Sequence, residues 1–238
     1  FMFYLDEFET KLFDLPEGVY TCLIENEDCE EQILTLGMDD EIFSRTKVPM
    51  TKNEVRVLSI SRLELTKKAV VYDVGSGTGS VSVECARLSP DIAVFAIEQK
   101  EEAANLTKEN AVRLGLSDQI MVINKKAPEG FEELPTPTHV FIGGSSGALS
   151  DILSAIQKKL IVKENTKGVR VVINAVSLET IAQITKLIQT YPVKHVQLTQ
   201  IQASRAHKLG SYNLMQAQNP VLIASFNLLP DDKMEADE

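Results

Sequence analysis

The stretch VVYDVGSGTGSVSVECARL, residues 70–88, decides the fold of this chain. An apolar run at 70–74 is followed by the glycine turn Gly75-Ser76-Gly77-Thr78-Gly79 and then by a sequence typical of a helix. Glycine lets the backbone turn sharply and approach a bound molecule where a side chain would clash. The pattern therefore predicts a strand, a glycine turn and a helix, which together form the first unit of a nucleotide-binding α/β domain.

An acidic residue beyond the glycine turn narrows the choice of ligand. A second apolar run, 92–97, ends in Glu98, about twenty positions after the glycines, where a carboxylate can accept hydrogen bonds from both hydroxyls of a ribose. The turn reads Asp-x-Gly-x-Gly-x-Gly from Asp73, not Gly-x-Gly-x-x-Gly as in dinucleotide sites. This spacing favours S-adenosylmethionine over NAD, with the amides of the turn and of the helix N-terminus meeting the methionine carboxylate. Asp73 is expected to fix the turn or to lie beside the ligand's ammonium group.

Strand and helix patterns alternate along most of the chain. Strands are predicted at 70–74, 92–97, 120–123, 138–142, 169–173, 193–201 and 220–226, and helices at 53–65, 78–88, 100–114, 148–160 and 177–190. This alternation predicts a parallel sheet covered on both faces. The last two strands flank a polar segment, 202–219, so they are expected to form a terminal antiparallel hairpin. We predict the α/β fold of class I methyltransferases, which is Rossmann-like with a seven-stranded, mostly parallel sheet.

The chain divides by composition into three regions. Residues 38–230 carry the alternating pattern and are predicted to form the methyltransferase domain. Residues 1–37 are rich in acids and are expected to form an appendage with a short strand at 19–24. Residues 231–238 form an acidic tail.

Composition restricts the partners and the compartment. The 238 residues are 44% hydrophobic and carry a formal net charge of −10, which disfavours a broad nucleic-acid surface. No apolar run approaches the roughly eighteen residues of a membrane span. Cys22, Cys29 and Cys85 do not form a disulfide framework, so we expect reduced thiols and a cytoplasmic protein.

Two further loops are candidates for the same crevice. Gly143 and Gly144, with Ser145, follow the fourth predicted strand, where glycines indicate close backbone approach to a bound molecule. The alternative is a flexible loop in which Ser146 or Ser150 caps the next helix. Ala127 follows the third strand, where such folds place the adenine.

The histidines offer no catalytic or metal-binding pattern. His139 lies in an apolar strand and is expected to be structural, while His195 and His207 have no partner at metal or triad spacing. We therefore predict no metal site and assign no catalytic residue.

Several segments together resemble one family. They are Lys47-Val48-Pro49-Met50-Thr51-Lys52, the glycine turn, Ala127-Pro128-Glu129, Val140-Phe141-Ile142-Gly143-Gly144, Asn174-Ala175-Val176, Leu178-Glu179-Thr180 and Leu214-Met215-Gln216-Ala217 with Asn219-Pro220-Val221. Over about residues 38–226 the chain resembles the decarboxylating precorrin-6Y C15-methyltransferases of cobalamin biosynthesis.

The resemblance implies a cofactor site. It maps to Thr51, the glycine turn from Gly75 to Gly79, Glu98 and Ala127. One departure is Lys125-Lys126, where relatives commonly have Gly and an acid. An acid can bond the adenine amino group, whereas lysine cannot accept a hydrogen bond.

The resemblance also implies a reaction and partners. The reaction is methylation of a precorrin or cobalt-precorrin and loss of CO2 from an acetate arm, with the macrocycle as electron sink. Such a substrate carries many carboxylates, and the candidate binding residues are Arg45, Lys47, Gly144, Ser145, Arg205, Lys208 and Tyr212. Relatives suggest a homotetramer, and fusion behind a C5-methyltransferase domain in some organisms suggests that residues 1–37 are a remnant of one.

Two other interpretations remain open from the sequence. A methyltransferase acting on tRNA adenine or on protein isoaspartate would share the sheet and the cofactor turn, although the net charge of −10 disfavours tRNA. The other interpretation is a non-catalytic subunit that only binds the cofactor. The departure from the family pattern at Lys125-Lys126 is the feature that would indicate it.

Overall fold

The computed structural model describes residues 18, 35–162 and 168–231 of the chain. All elements named below belong to the compact unit Leu34–Glu238. The strands are β1 (Val70–Val74), β2 (Ala93–Ile97), β3 (Ile120–Ile123), β4 (His139–Ile142), β5 (Val169–Ala175), β6 (Val193–Ile201), β7 (Ser204–Leu209), β8 (Tyr212–Ala217) and β9 (Val221–Leu228). The helices are α1 (Asn53–Leu63), α2 (Ser80–Ala86), α3 (Glu101–Arg113), α4 (Leu149–Val162) and α5 (Leu178–Thr190), with short 3-10 turns at Asp40–Ile42 and Phe131–Glu133.

Seven of the strands form one sheet in the order β3-β2-β1-β4-β5-β9-β6. The pairs from β3 to β5 are all parallel, and β9 runs antiparallel to both β5 and β6. The predicted class is confirmed, including the antiparallel pair made by the last two strands. The sheet order reverses direction at β1, which is where open α/β sheets bind their ligands.

The central strands are apolar without alternation because both of their faces are buried. Val71 packs in the cluster beneath α1, α2 and α3, whereas the neighbouring Tyr72 packs in the cluster beneath α4 and α5. Both residues are fully buried. These two cores hold the carboxyl end of β1 in place and so fix the glycine turn that follows it.

The polar segment between the last two sheet strands has a structure that the sequence did not predict. Strands β7 and β8 pair as a separate antiparallel ribbon, and nearly all of its residues are exposed. The ribbon begins beyond Ile201, and the residue before it, Gln200, lies across β9 from Ala175 at the carboxyl end of β5. It therefore leaves the sheet at the edge where the glycine turn lies.

Helix bounds differ slightly from the prediction. Helix α2 begins at Ser80, not at residue 78, because Gly79 has a left-handed backbone with φ of 76°. The predicted strand at 19–24 and the cysteines Cys22 and Cys29 lie outside the described residues, as does nearly all of the acidic tail. Among the described helices, none is both long enough and apolar enough to cross a bilayer.

Candidate functional site

A cavity of about 440 Å³ opens at the carboxyl ends of β1, β2, β3 and β4. Of the residues predicted for the site, the following line it: Lys47, Gly75, Gly77, Glu98, Ala127, Gly143, Gly144 and Ser145. The structure thus brings together segments that are separated by as many as about a hundred positions in the sequence. Sequence reasoning did not select Val48, Pro49, Gln99 or Lys100, which also line the cavity.

The floor of the cavity can be built only from glycine. Gly75 and Gly77 have φ of 74° and 59°, in the left-handed region. A Cβ added to Gly75 would lie 2.7 Å from the carbonyl oxygen of Gly144, and one on Gly77 would lie 2.8 Å from that of Pro49. The glycine turn therefore lets three backbone segments converge closely enough to cradle a ligand.

The three remaining residues of the glycine turn, Ser76, Thr78 and Gly79, do not line the cavity. Ser76 Oγ lies 3.2 Å from Thr107 Oγ1, and the carbonyl of buried Thr78 accepts a hydrogen bond of 2.9 Å from Asn110. A Cβ on Gly79 would meet Thr107 at 2.7 Å. These contacts tie the turn to helix α3.

Thr51 also lies away from the cavity, where its carbonyl accepts a hydrogen bond of 2.7 Å from Arg56.

Asp73 lies beneath the turn and is completely buried. Its Oδ2 accepts a hydrogen bond of 2.5 Å from Ser82, whereas its Oδ1 has no partner among the described residues. Burial raises the pKa of Asp73 to about 6, and the charge of Glu98 adds to this, although the Ser82 hydrogen bond opposes it. Asp73 thus links the turn to α2 from inside the protein.

Glu98 is held at the end of β2 with its carboxylate fixed. Its Oε2 accepts a hydrogen bond of 3.1 Å from the amide of Gly77, and its Oε1 accepts one of 2.9 Å from the amide of Lys100. The side chain of Asn124 donates to its carbonyl at 2.8 Å, which joins the ends of β2 and β3. Each carboxylate oxygen keeps further acceptor capacity, so the residue fits a ribose whose hydroxyls donate to it.

The loop after β4 forms the opposite wall. The amide of Gly143 donates to the Val74 carbonyl at 2.9 Å, which holds the start of the loop against β1. Ser146 has a left-handed backbone with φ of 49°, and its hydroxyl accepts a hydrogen bond of 2.7 Å from Gln99. This bond connects the residues that follow β2 and β4, so it spans the opening above β1.

Not all of the residues predicted to bind substrate lie at the cavity. Of them, Lys47 lines the cavity, whereas Arg45 pairs with Glu41 at 2.7 Å. Lys208 and Tyr212 lie on the exposed ribbon and do not line the cavity.

Arg205 holds the ribbon against the first turn of α1 and the segment before it. It donates to both carboxylate oxygens of Glu54, at 2.8 and 2.6 Å, and to Asp40 at 2.8 Å. Burial would raise the pKa of Asp40, but the hydrogen bonds from Arg205 and Arg56 outweigh it and hold the pKa below its ordinary value. The Arg205 hydrogen bond likewise lowers the pKa of Glu54. The Arg205 guanidinium is therefore engaged by two carboxylates, and its predicted contact with substrate remains a prediction.

His139 is a buried residue at the start of β4, distant from the carboxyl edge. Its Nδ1 lies 2.7 Å from Thr138 Oγ1, and burial lowers its pKa. The described residues contain no group of three or more His, Cys, Asp or Glu side chains arranged to hold a metal ion.

The chain is similar to known proteins over most of its length. The family model described as "Precorrin methyltransferase domain" matches residues 41–227. A probable cobalt-precorrin-6B C(15)-methyltransferase (decarboxylating) of Pyrobaculum calidifontis is 38% identical over 191 residues, which are 79% of this chain and 94% of that protein. This agrees with the resemblance found in the sequence.

Solved structures give the same result. The precorrin-6y C5,15-methyltransferase of Geobacter metallireducens has a TM-score of 0.73 and 30% identity, covering 81% of this chain and 97% of that one. The precorrin 8w decarboxylase of Methanobacterium thermoautotrophicum has a TM-score of 0.71 and 31% identity, covering 80% and 100%. The predicted enzyme class, an S-adenosylmethionine-dependent methyltransferase, is confirmed. The chain belongs to the precorrin methyltransferase family.

Proposed function

We propose that this protein methylates C15 of a precorrin or cobalt-precorrin and removes CO2 from an acetate arm of the same tetrapyrrole, in cobalamin biosynthesis. The observation that carries the proposal is the match to the precorrin methyltransferase family over residues 41–227, which include every residue lining the crevice. The relative from Pyrobaculum calidifontis, whose name states this decarboxylating activity, supports the choice of carbon and the second reaction.

The chain's own residues fit the cofactor. S-adenosylmethionine supplies a methyl group that the positive charge on its sulfonium sulfur makes reactive. We assign its amino-acid end to the cradle at Gly75 and Gly77, where side chains are excluded and backbone approaches closely. We assign its ribose to Glu98, whose carboxylate is held by two amides and keeps free acceptor capacity. Ala127 lines the cavity near Glu98 and leaves room for the adenine.

The protein's contribution to the chemistry is positioning. Apolar and backbone surfaces from Val48, Pro49, Ile97 and Gly143 line the crevice and restrict water near the reacting atoms. Holding donor and acceptor together can lower the barrier by roughly 7–11 kcal/mol when the two are well aligned. In methyl transfer an electron-rich carbon of the tetrapyrrole would itself be the nucleophile, and the sulfonium sulfur would keep the electron pair of the S–CH3 bond that breaks. In decarboxylation the conjugated macrocycle would accept the electrons left by departing CO2, so the protein need supply neither a nucleophile nor an electron sink.

Methyl transfer to the tetrapyrrole tests the proposal. The protein is incubated with S-adenosylmethionine carrying an isotopic methyl label and with precorrin-6B or cobalt-precorrin-6B, and the products are analysed by mass spectrometry. The expected product has gained the labelled methyl group and lost CO2. Label transfer to tRNA or to an isoaspartyl peptide, with none to either tetrapyrrole, would contradict the proposal.

We also propose that the protein is a cytoplasmic homotetramer. Exposed apolar side chains on the ribbon, Leu209, Leu214 and Met215, support self-association. The buried free thiol of Cys85 is compatible with a reducing compartment. Light scattering should give a tetramer, and the double substitution Leu214→Ser and Met215→Ser should reduce its mass. A monomeric parent protein would contradict the assembly.

A further inference from the structure

Lysines surround the cavity in a chain that is acidic overall. The charged residues that line it are Lys47, Lys100, Lys125, Lys126, Glu98 and Glu102. Both acids are already engaged, Glu98 by the amides of Gly77 and Lys100 and Glu102 by the Thr46 hydroxyl at 2.6 Å. Although the formal net charge of the chain is −10, the mouth of this crevice carries more positive than negative groups.

Three of these ammonium groups have no partner within the described part of the chain. Among the described residues, no carboxylate lies within 4.0 Å of the ammonium of Lys47, Lys100 or Lys126. The arginines predicted to bind substrate contrast with them, since Arg45 and Arg205 are both paired with carboxylates. Three ammonium groups without a carboxylate partner among the described residues therefore line this one cavity.

Lys125 is positioned by the backbone beside it. A Cβ on Gly130 would lie 2.9 Å from Lys125 Cδ and 3.1 Å from its Nζ, so the side chain of Lys125 lies directly over Gly130. Its ammonium is 3.6 Å from Glu133. The contact with Glu133 and the packing over Gly130 place the Lys125 side chain at the cavity that Lys126 also lines.

We propose that Lys47, Lys100, Lys125 and Lys126 form a rim that binds the carboxylate arms of the tetrapyrrole. The proposal rests on the function proposed above, which gives the cavity a polycarboxylate substrate. An ammonium group has three donors on a flexible stem and can follow carboxylates at varied positions, which suits a macrocycle with many arms. The lysines at 125 and 126, which cannot accept a hydrogen bond from adenine, then serve the substrate and not the cofactor.

The test compares two double variants with the same change in charge. Lys100→Gln with Lys126→Gln neutralises half of the rim, and glutamine keeps a long stem with donors. Lys67→Gln with Lys68→Gln is the control, because these exposed lysines precede β1 at the opposite edge of the sheet. Fluorescence titration with uroporphyrin measures polycarboxylate binding, and calorimetry with S-adenosylmethionine measures cofactor binding.

The rim variant should bind uroporphyrin roughly fivefold to tenfold more weakly than the parent, with a smaller dependence on salt, because two attractive charges have been removed. Its affinity for S-adenosylmethionine should change by less than about twofold, and the control should match the parent in both titrations.

Three results from the variants would overturn the rim. They are unchanged uroporphyrin binding in the rim variant, an equal loss in the control, and an equal loss of S-adenosylmethionine binding, which would assign the lysines to the cofactor. A parent protein that does not bind uroporphyrin would also overturn it. If the rim variant behaves as expected but the parent transfers no methyl group to precorrin-6B or cobalt-precorrin-6B, the proposed function fails while the rim stands.

Discussion

The amide of Gly77 donates a hydrogen bond of 3.1 Å to the carboxylate of Glu98, which joins the glycine turn after β1 to the end of β2. The two residues follow the adjacent parallel strands β1 and β2, so this bond fixes the distance between the cradle and the acid. A ligand that spans both groups therefore meets a site whose parts are already in place. Preorganisation of this kind reduces the free-energy cost of binding.

Substitution of Glu98 should weaken cofactor binding more than it weakens the fold. Glu98→Gln removes the charge that strengthens hydrogen bonds from the ribose, and we expect a loss of about 1.5–3 kcal/mol in binding free energy. Glu109→Gln, on the exposed face of α3, removes the same charge outside the cavity and serves as control. Calorimetric titration with S-adenosylmethionine measures both. If the two variants bind S-adenosylmethionine with equal affinity, Glu98 does not contact the cofactor.

Gly75→Ala should abolish cofactor binding because its Cβ would collide with the Gly144 backbone. Gly115→Ala is a matched control, since Gly115 also has a left-handed backbone, with φ of 69°, but has nothing within 4 Å of its Cβ position. Backbone strain should cost each variant about 1–2 kcal/mol of unfolding free energy, and the collision should cost Gly75→Ala about 1–3 kcal/mol more. Urea denaturation and calorimetry measure the two effects. Similar behaviour of the variants would mean that the close approach at Gly75 is unimportant.

The buried carboxyl of Asp73 should make stability depend on pH. Its pKa is about 6 in the folded protein and 3.8 in the reference state, so the folded state binds the proton more tightly than the unfolded chain. The stability of the parent relative to Asp73→Asn should therefore fall as pH rises from about 4 to about 6, by on the order of 2–3 kcal/mol, and then level off. Urea denaturation across this range measures the difference. A difference that is constant or rises with pH would show that Asp73 ionises readily inside the protein.

Loss of Arg205 should destabilise the protein because the buried carboxylate of Asp40 would lose one of its guanidinium partners. It would keep the other, Arg56. We expect Arg205→Ala to reduce the unfolding free energy by about 1–3 kcal/mol. Arg45→Ala should cost less than about 1 kcal/mol, because the partner of Arg45 is the exposed Glu41. Thermal and urea denaturation measure both variants. If Arg205→Ala keeps full stability but loses tetrapyrrole binding, Arg205 contacts the substrate as the resemblance implies.

The sheet and the cofactor crevice could be predicted because their signals are local. The apolar run of β1, the glycines that follow it and Glu98 at the end of β2 lie within thirty positions of one another in the sequence, and parallel strands place their carboxyl ends together. Similarly, the apolar character of the closing strand β9 indicates that it belongs to the buried sheet. Family membership followed from segments distributed along the same domain.

Contacts between distant residues could not be predicted in the same way. Arg205 is bound by residues 151 and 165 positions away, so its sequence surroundings gave no sign that it is already paired. The ribbon β7–β8 was missed because its strands stand outside the sheet, where no buried face imposes an apolar pattern. Lys100 and Lys126 were not selected as substrate ligands because only the closed fold brings them to one cavity with Lys47.

Calorimetric titration of S-adenosylmethionine into the purified protein, repeated with Gly75→Ala, tests the central claim most directly. The crevice between the glycine turn and Glu98 should bind one cofactor per chain in the parent, and the heat should disappear in the variant. Absence of binding heat with folded parent protein, or undiminished heat with the variant, would contradict a cofactor site in this crevice.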